Sequence, residues 1–100
     1  MRDLARLTLE ERVGQLFFVG YQGTELTPAT ARIMERVRPG GIVCSQRNLE
    51  SLDQIYHLNL NLQRRANFPL FLAINQEGGS VDRFRHLIAP LPSVAHLTDL

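Results

Sequence analysis

The chain has 100 residues, enough for one modest domain built on one core. Apolar residues make up 44% and charged residues 21%, a composition that excludes the disordered class. Net charge is +1 and the basic residues are scattered, with Arg64-Arg65 the one adjacent pair and a solvated helix end its expected setting, so nothing electrostatic points to nucleic acid or an anionic membrane.

Thr8-Leu9-Glu10-Glu11 has the form of a capping box and predicts a short helix from about Leu9. The apolar run Gln15 to Gly20 reads as a first strand, and Gly20 to Gly23 as a loop. Thr27-Pro28 starts a second helix, with proline at the first helical position where its missing N–H costs nothing. Thr30, Ile33, Met34 and Val37 form its apolar stripe, and Pro39-Gly40-Gly41 stops it. Ile42-Val43-Cys44 is the core of a second strand. Ser51 to Gln54 repeats the capping pattern and opens a third helix to about Ala66, with Leu52, Ile55, Leu58 and Leu62 on one face. Phe68-Pro69 breaks it, and Leu70 to Ile74 forms a third strand. Beyond Arg85 the chain turns irregular, with a loop at Ala89 to Pro92 and a helix beginning in Val94 to Leu100.

The strands are continuously apolar, which argues burial on both faces and a parallel sheet of the α/β class. Three parallel strands leave two open edges, and a closed barrel needs about 250 residues. The chain is therefore expected either to be the first part of a larger barrel or to pair with something, the missing remainder or a second copy. Cys44 is the one cysteine, which fits a reducing compartment. Met1 to Arg6 lacks the apolar core of a signal peptide, and Leu16 to Val19 is too short to span a bilayer. A cytoplasmic location is the expectation.

In parallel α/β folds, ligands meet the carboxyl ends of the strands. Here those ends carry Gly20-Tyr21-Gln22, then Ser45-Gln46-Arg47-Asn48, then Asn75-Gln76-Glu77, a polar rim suited to a ligand rich in hydroxyl and amide groups, such as a sugar. Asn75 offers a donor and an acceptor, Arg83 a fixed-charge fork, and Gly78-Gly79 a sharp turn. Neither glycine pair fits a dinucleotide or P-loop pattern. His57, His86 and His96 show no metal-ligand spacing and read as surface or loop residues; Cys44 and Tyr56 read as packing. No metal or cofactor is expected.

The segment LFLAINQEGGSVDRFR, residues 70–85, resembles the strand-three signature of glycoside hydrolase family 3, in its bacterial β-N-acetylhexosaminidase branch, where an apolar strand precedes D-Q-E-G-G-R-V-x-R-F. LTLEERVGQLFFVGYQGTELTP, residues 7–28, is similar to the family's opening helix and first strand, and RPGGIVCSQRNLES, residues 38–51, to its second. The resemblance implies the N-terminal units of a (β/α)8 TIM-type barrel. It implies removal of terminal β-linked N-acetylglucosamine, from cell-wall muropeptide or a similar glycan, with retention through a covalent glycosyl-enzyme. It places the nucleophilic aspartate and a histidine–aspartate acid/base pair after this signature, so no residue of this chain is expected to be catalytic. It maps two sugar contacts, onto Asn75 and Arg83; Glu77, Arg47 and Asn48 are further residues that could line the site. Asn75 stands where the signature has a carboxylate and Ser80 where it has arginine, which keeps a non-catalytic sugar-binding or scaffold relative in view beside the enzyme. An unrelated α/β module, such as a half-barrel that dimerises, is a third reading.

Overall fold

The computed structural model describes residues 3–99. Met1, Arg2 and Leu100, which the expectations for the two termini include, lie outside the described residues. The order of elements is helix α1 (Leu9–Gly14), strand β1 (Phe18–Gly20), helix α2 (Pro28–Val37), strand β2 (Gly41–Cys44), helix α3 (Leu52–Arg65), strand β3 (Phe71–Ile74) and a short helix α4 (Val94–Thr98). The three strands form one parallel sheet in the order β1-β2-β3. Phe18 sits beside Gly41 and Phe71, Val19 beside Ile42 and Leu72, and Gly20 beside Val43 and Ala73.

The helices start where the caps predict. Thr8 and Glu11 complete a reciprocal capping box at α1, Thr27 accepts from the Thr30 N–H at α2, and Ser51 and Gln54 repeat the box at α3. The helix α2 ends at Arg38, whose φ of 53° puts a non-glycine residue in the left-handed region. Its side chain holds Glu11 at 2.7 Å, tying the end of α2 to the start of α1.

The core lies between one face of the sheet and the helices α2 and α3. Tyr21, Met34, Ile42, Leu58, Leu62 and Leu70 form it, with Val19, Leu26 and Ala66 against its edge. Gln63 pins the entry to β3 by bonding both the N–H and the carbonyl of Leu70, at 2.9 and 2.8 Å. Its two-sided amide takes the place of a strand partner there.

Four expectations need correcting. The first strand is shorter than the apolar run. The N–H groups of Gln15, Leu16 and Phe17 bond back to Glu11, Val13 and Gly14, so the helical turn continues and pairing begins only at Phe18. The stripes on α2 and α3 are narrower than their apolar residues, because Ile33 and Leu52 are exposed while Thr30, Met34, Leu58 and Leu62 are buried. Tyr56 is exposed with its ring edge-on to His57; two residues from Leu58 is about 200° round a helix, away from the core. The sheet is covered on one face only. On the other, Phe18 and Phe71 are 49% and 72% exposed, their rings stacked 6.0 Å apart across Gly41.

At the amino-terminal edge of the sheet the backbone is packed too closely for side chains. A Cβ on Gly40 would lie 2.1 Å from the Gln15 carbonyl oxygen, and one on Gly14 2.0 Å from that of Val37. Both neighbours are main chain and cannot swing aside. Gly40→Ala is therefore expected to destabilise the fold by roughly 1–3 kcal/mol, read from the urea midpoint of the polypeptide that carries this chain.

Candidate functional site

Because all three strands run the same way, their carboxyl ends share one edge of the sheet. The loops leaving that edge are laced together by side chains. Asn48, 1% exposed, sits on a 3₁₀ turn (Gln46–Asn48) after β2. Its Oδ1 accepts from the Ser45 N–H and hydroxyl at 2.9 and 3.0 Å, and its Nδ2 donates to the carbonyls of Tyr21 and Gly23 at 3.2 and 2.8 Å. Gln54 adds a second tie, donating to the carbonyls of Thr24 and Asn48 at 2.7 and 3.0 Å. The loop after β1 is thus held by residues from beyond β2.

The loop after β3 has its own clasp. Asp82 is 3% exposed. Its Oδ1 accepts from Gln76 Nε2 at 2.8 Å and the Phe84 N–H at 3.2 Å, and its Oδ2 from the Leu91 N–H at 2.9 Å. Gln76 turns its other end, Oε1, to the Arg83 N–H at 2.8 Å. Between these anchors the chain reverses: Glu77 and Gly78 donate to the Val81 carbonyl, and Val81 returns a bond to Gly78. Gly78 and Gly79 have φ of 78° and 59°, a region open to glycine without strain. A Cβ on Gly78 would also lie 2.0 Å from the Pro92 carbonyl oxygen, so the turn is pressed against the Leu91–Ser93 segment. His86 Nε2 lies 3.3 Å from the Leu49 carbonyl, a contact that needs the proton on Nε2, and joins this loop to the one after β2.

The candidate residues divide accordingly. Asn75 is exposed at the end of β3 and Arg83 is half-buried; the Gln76–Arg83 bond brings the backbone at 83 beside the residue that follows Asn75. Glu77 and Arg47 are exposed. The bonding groups of Asn48 are all engaged by protein atoms, so it positions loops and has no free group for a ligand. Tyr21 is a core residue rather than part of the rim. Its hydroxyl faces Cys44 Sγ at 3.6 Å, and burial pushes both the phenol and the thiol up from their usual ranges, so both stay protonated at neutral pH. Among the described residues no group of three histidine, cysteine or acidic side chains could hold a metal ion. The organising pair, Gln76 and Asp82, carried one local signal in the sequence: an aspartate whose carboxylate caps the N–H two residues on, as Asp82 does for Phe84.

The Asp82 carboxyl is held below the usual carboxylate range, first by the Gln76 amide and then by the Leu91 and Phe84 N–H groups, with Arg85 adding a smaller pull. A carboxyl depressed in the folded state stabilises that state above its unfolded pKa, about 3.9. The contribution is lost as pH falls from there through the lower folded value. Stability is thus expected to fall on acidification below about pH 4 less steeply in Asp82→Asn than in the unaltered protein, as read from urea midpoints between pH 6 and the acid limit.

Residues 8–100 match the glycosyl hydrolase family 3 N terminal domain. A beta-hexosaminidase of Thioalkalivibrio sulfidiphilus is 36% identical over 74 residues, covering 74% of this chain and 21% of that protein. The solved glycoside hydrolase family 3 β-N-acetylglucosaminidase from Paenibacillus superposes with a TM-score of 0.82 at 35% identity, covering 87% of this chain and 17% of that one. NagZ from Neisseria gonorrhoeae, solved in complex with N-trifluoroacetyl-D-glucosamine, superposes with a TM-score of 0.69 at 25% identity, over 75% of this chain and 22% of that one. The chain spans about a fifth of the length of the relatives it matches. Its three-stranded parallel sheet corresponds to the N-terminal part of a family 3 barrel domain, and the chain belongs to glycosyl hydrolase family 3.

Proposed function

We propose that this chain is the first portion, residues 1–100, of the barrel of a glycosidase that removes terminal β-linked N-acetylglucosamine by a retaining mechanism. The observation that carries the reading is the clasped loop after β3, which sets Asn75 and Arg83 at the carboxyl end of a parallel strand in a family 3 fold. One relative named as a β-N-acetylglucosaminidase, and NagZ solved with N-trifluoroacetyl-D-glucosamine, support the class of sugar. Asn75 donates and accepts hydrogen bonds at the hydroxyls of the non-reducing sugar, and Arg83 grips the same ring through its guanidinium fork. Glu77 and Arg47 line the approach. The nucleophile and the acid/base come from the remainder of the barrel, which also covers the open face of the sheet. In this reading the protein trims muropeptide fragments or a similar glycan in the cytoplasm. No helix among the described residues is long and apolar enough to cross a membrane.

One observation favours a second reading, a sugar-binding relative without catalysis. Asn75 is neutral where the family signature has a carboxylate, and a charge-assisted hydrogen bond is roughly twice as strong as a neutral one.

Two outcomes are expected. The natural polypeptide containing this chain releases nitrophenol from 4-nitrophenyl N-acetyl-β-glucosaminide, and residues 1–100 alone do not. Binding without turnover by the whole polypeptide selects the second reading; neither binding nor turnover overturns both. In the whole polypeptide, Asn75→Asp tightens N-acetylglucosamine binding by about fivefold, the worth of about 1 kcal/mol for the added charge. Calorimetry showing unchanged or weaker affinity removes Asn75 from the sugar site.

A further inference from the structure

The charged group at Asp82 needs an explanation that packing does not supply. A carboxylate buried to 3% exposure gives up hydration that an apolar side chain of similar size would not. What it provides is direction. Asp82 can only accept hydrogen bonds, so the Gln76 amide must turn Nε2 toward it, at 2.8 Å. The opposite end, Oε1, is then the end that meets the Arg83 N–H, which can only donate. An accept-only group at one end and a donate-only group at the other leave the amide a single orientation. The same carboxylate fixes the Leu91 N–H at 2.9 Å, while the Leu91 carbonyl takes the Gly79 N–H at 2.8 Å, so the returning chain is clamped on both sides. Arg83 follows Asp82 directly and is tied by its backbone to the end of β3. Its guanidinium makes no hydrogen bond or ion pair among the described residues.

We propose that Asp82, acting through Gln76, is a positioning residue that aims Arg83 at the sugar and so sets affinity for the non-reducing ring. This rests on the reading of Arg83 as a sugar contact. Uncharged asparagine at 82 presents an N–H₂ as well as a carbonyl, which lets the Gln76 amide turn over and releases Arg83 while leaving side-chain volume unchanged.

The test is a mutant cycle in the natural polypeptide containing this chain, with 4-nitrophenyl N-acetyl-β-glucosaminide for kinetics and N-acetylglucosamine for calorimetry. Arg83→Ala is expected to raise KM, and Asp82→Asn to raise it about tenfold with kcat lowered threefold at most. Added to Arg83→Ala, Asp82→Asn should change KM by less than about twofold, because the group it positions is gone. A purely structural role gives the opposite result: Asp82→Asn adds its full effect in both backgrounds, or lowers stability and leaves KM alone, and either overturns the proposal. Gln76→Ala breaks the link to Arg83 while leaving the Asp82–Leu91 bond, and carries the same cycle if Asp82→Asn does not fold. Where there is no turnover, calorimetric Kd values decide in the same way. An unchanged KM and Kd in Arg83→Ala removes Arg83 from the sugar site and takes this inference with it. A raised value there with no effect of Asp82→Asn or Gln76→Ala sinks this inference alone.

Discussion

The peptide groups around Gly40 join every layer of the fold. The Gly40 N–H reaches the carbonyls of Gly14 and Phe17, the Gly41 N–H also reaches Phe17, and the Gly40 carbonyl accepts from the Phe71 N–H. The end of α1, the entry to β1, the entry to β2 and the entry to β3 therefore meet at one residue, packed so closely that a methyl group would collide with main chain. Parallel strands gain no hairpin to set their register. Here the register is set by this backbone junction at the amino-terminal edge, which starts all three strands from one place.

The two edges of the sheet are held by different chemistry. Backbone bonds dominate at the amino-terminal edge, with the Gln63 amide added at the entry to β3. Side-chain amides and one buried carboxylate hold the carboxyl-terminal edge: Asn48 and Gln54 between the first two loops, Gln76 and Asp82 within the third, His86 between the second and third. Side chains can be exchanged one at a time without moving a strand, whereas the junction at Gly40 cannot. That division matches the general partition of α/β barrels, with stability at one end and chemistry in the loops of the other.

The parts of this fold that were legible in the sequence are those whose causes lie within a few residues. Thr8, Thr27 and Ser51 each cap a backbone N–H three residues on, and each helix start followed from that. The loops of Gly78-Gly79 and Pro39-Gly40 were visible for the same reason. What was hidden depends on partners far along the chain. Asn48 looked like a rim residue because nothing local says that its amide will be consumed 25 and 27 residues away. Tyr21 reads as a rim residue from its place just after β1, but its side chain turns into the core. Gln15 to Phe17 read as strand because an apolar run has no period by which to tell a helical turn from extended chain. Gln76 and Asp82 lay inside the stretch that stood out, but their division of labour depends on Leu91 and Arg83 arriving beside them.

The open face of the sheet is graded along its length. Phe18, Gly41 and Phe71 lie side by side at the amino-terminal end, two stacked rings meeting over a residue with no side chain. One step along on the same face come Gly20, Val43 and Ala73, all small. Just beyond the end of β3 stands Asn75, where apolar residues give way to the polar rim. The exposed aromatic pair is thus followed by a layer of smaller side chains, and polar groups begin beyond it. Beyond that point the chain is held by the buried Asp82 carboxylate, through the Gln76 amide and the Leu91 N–H.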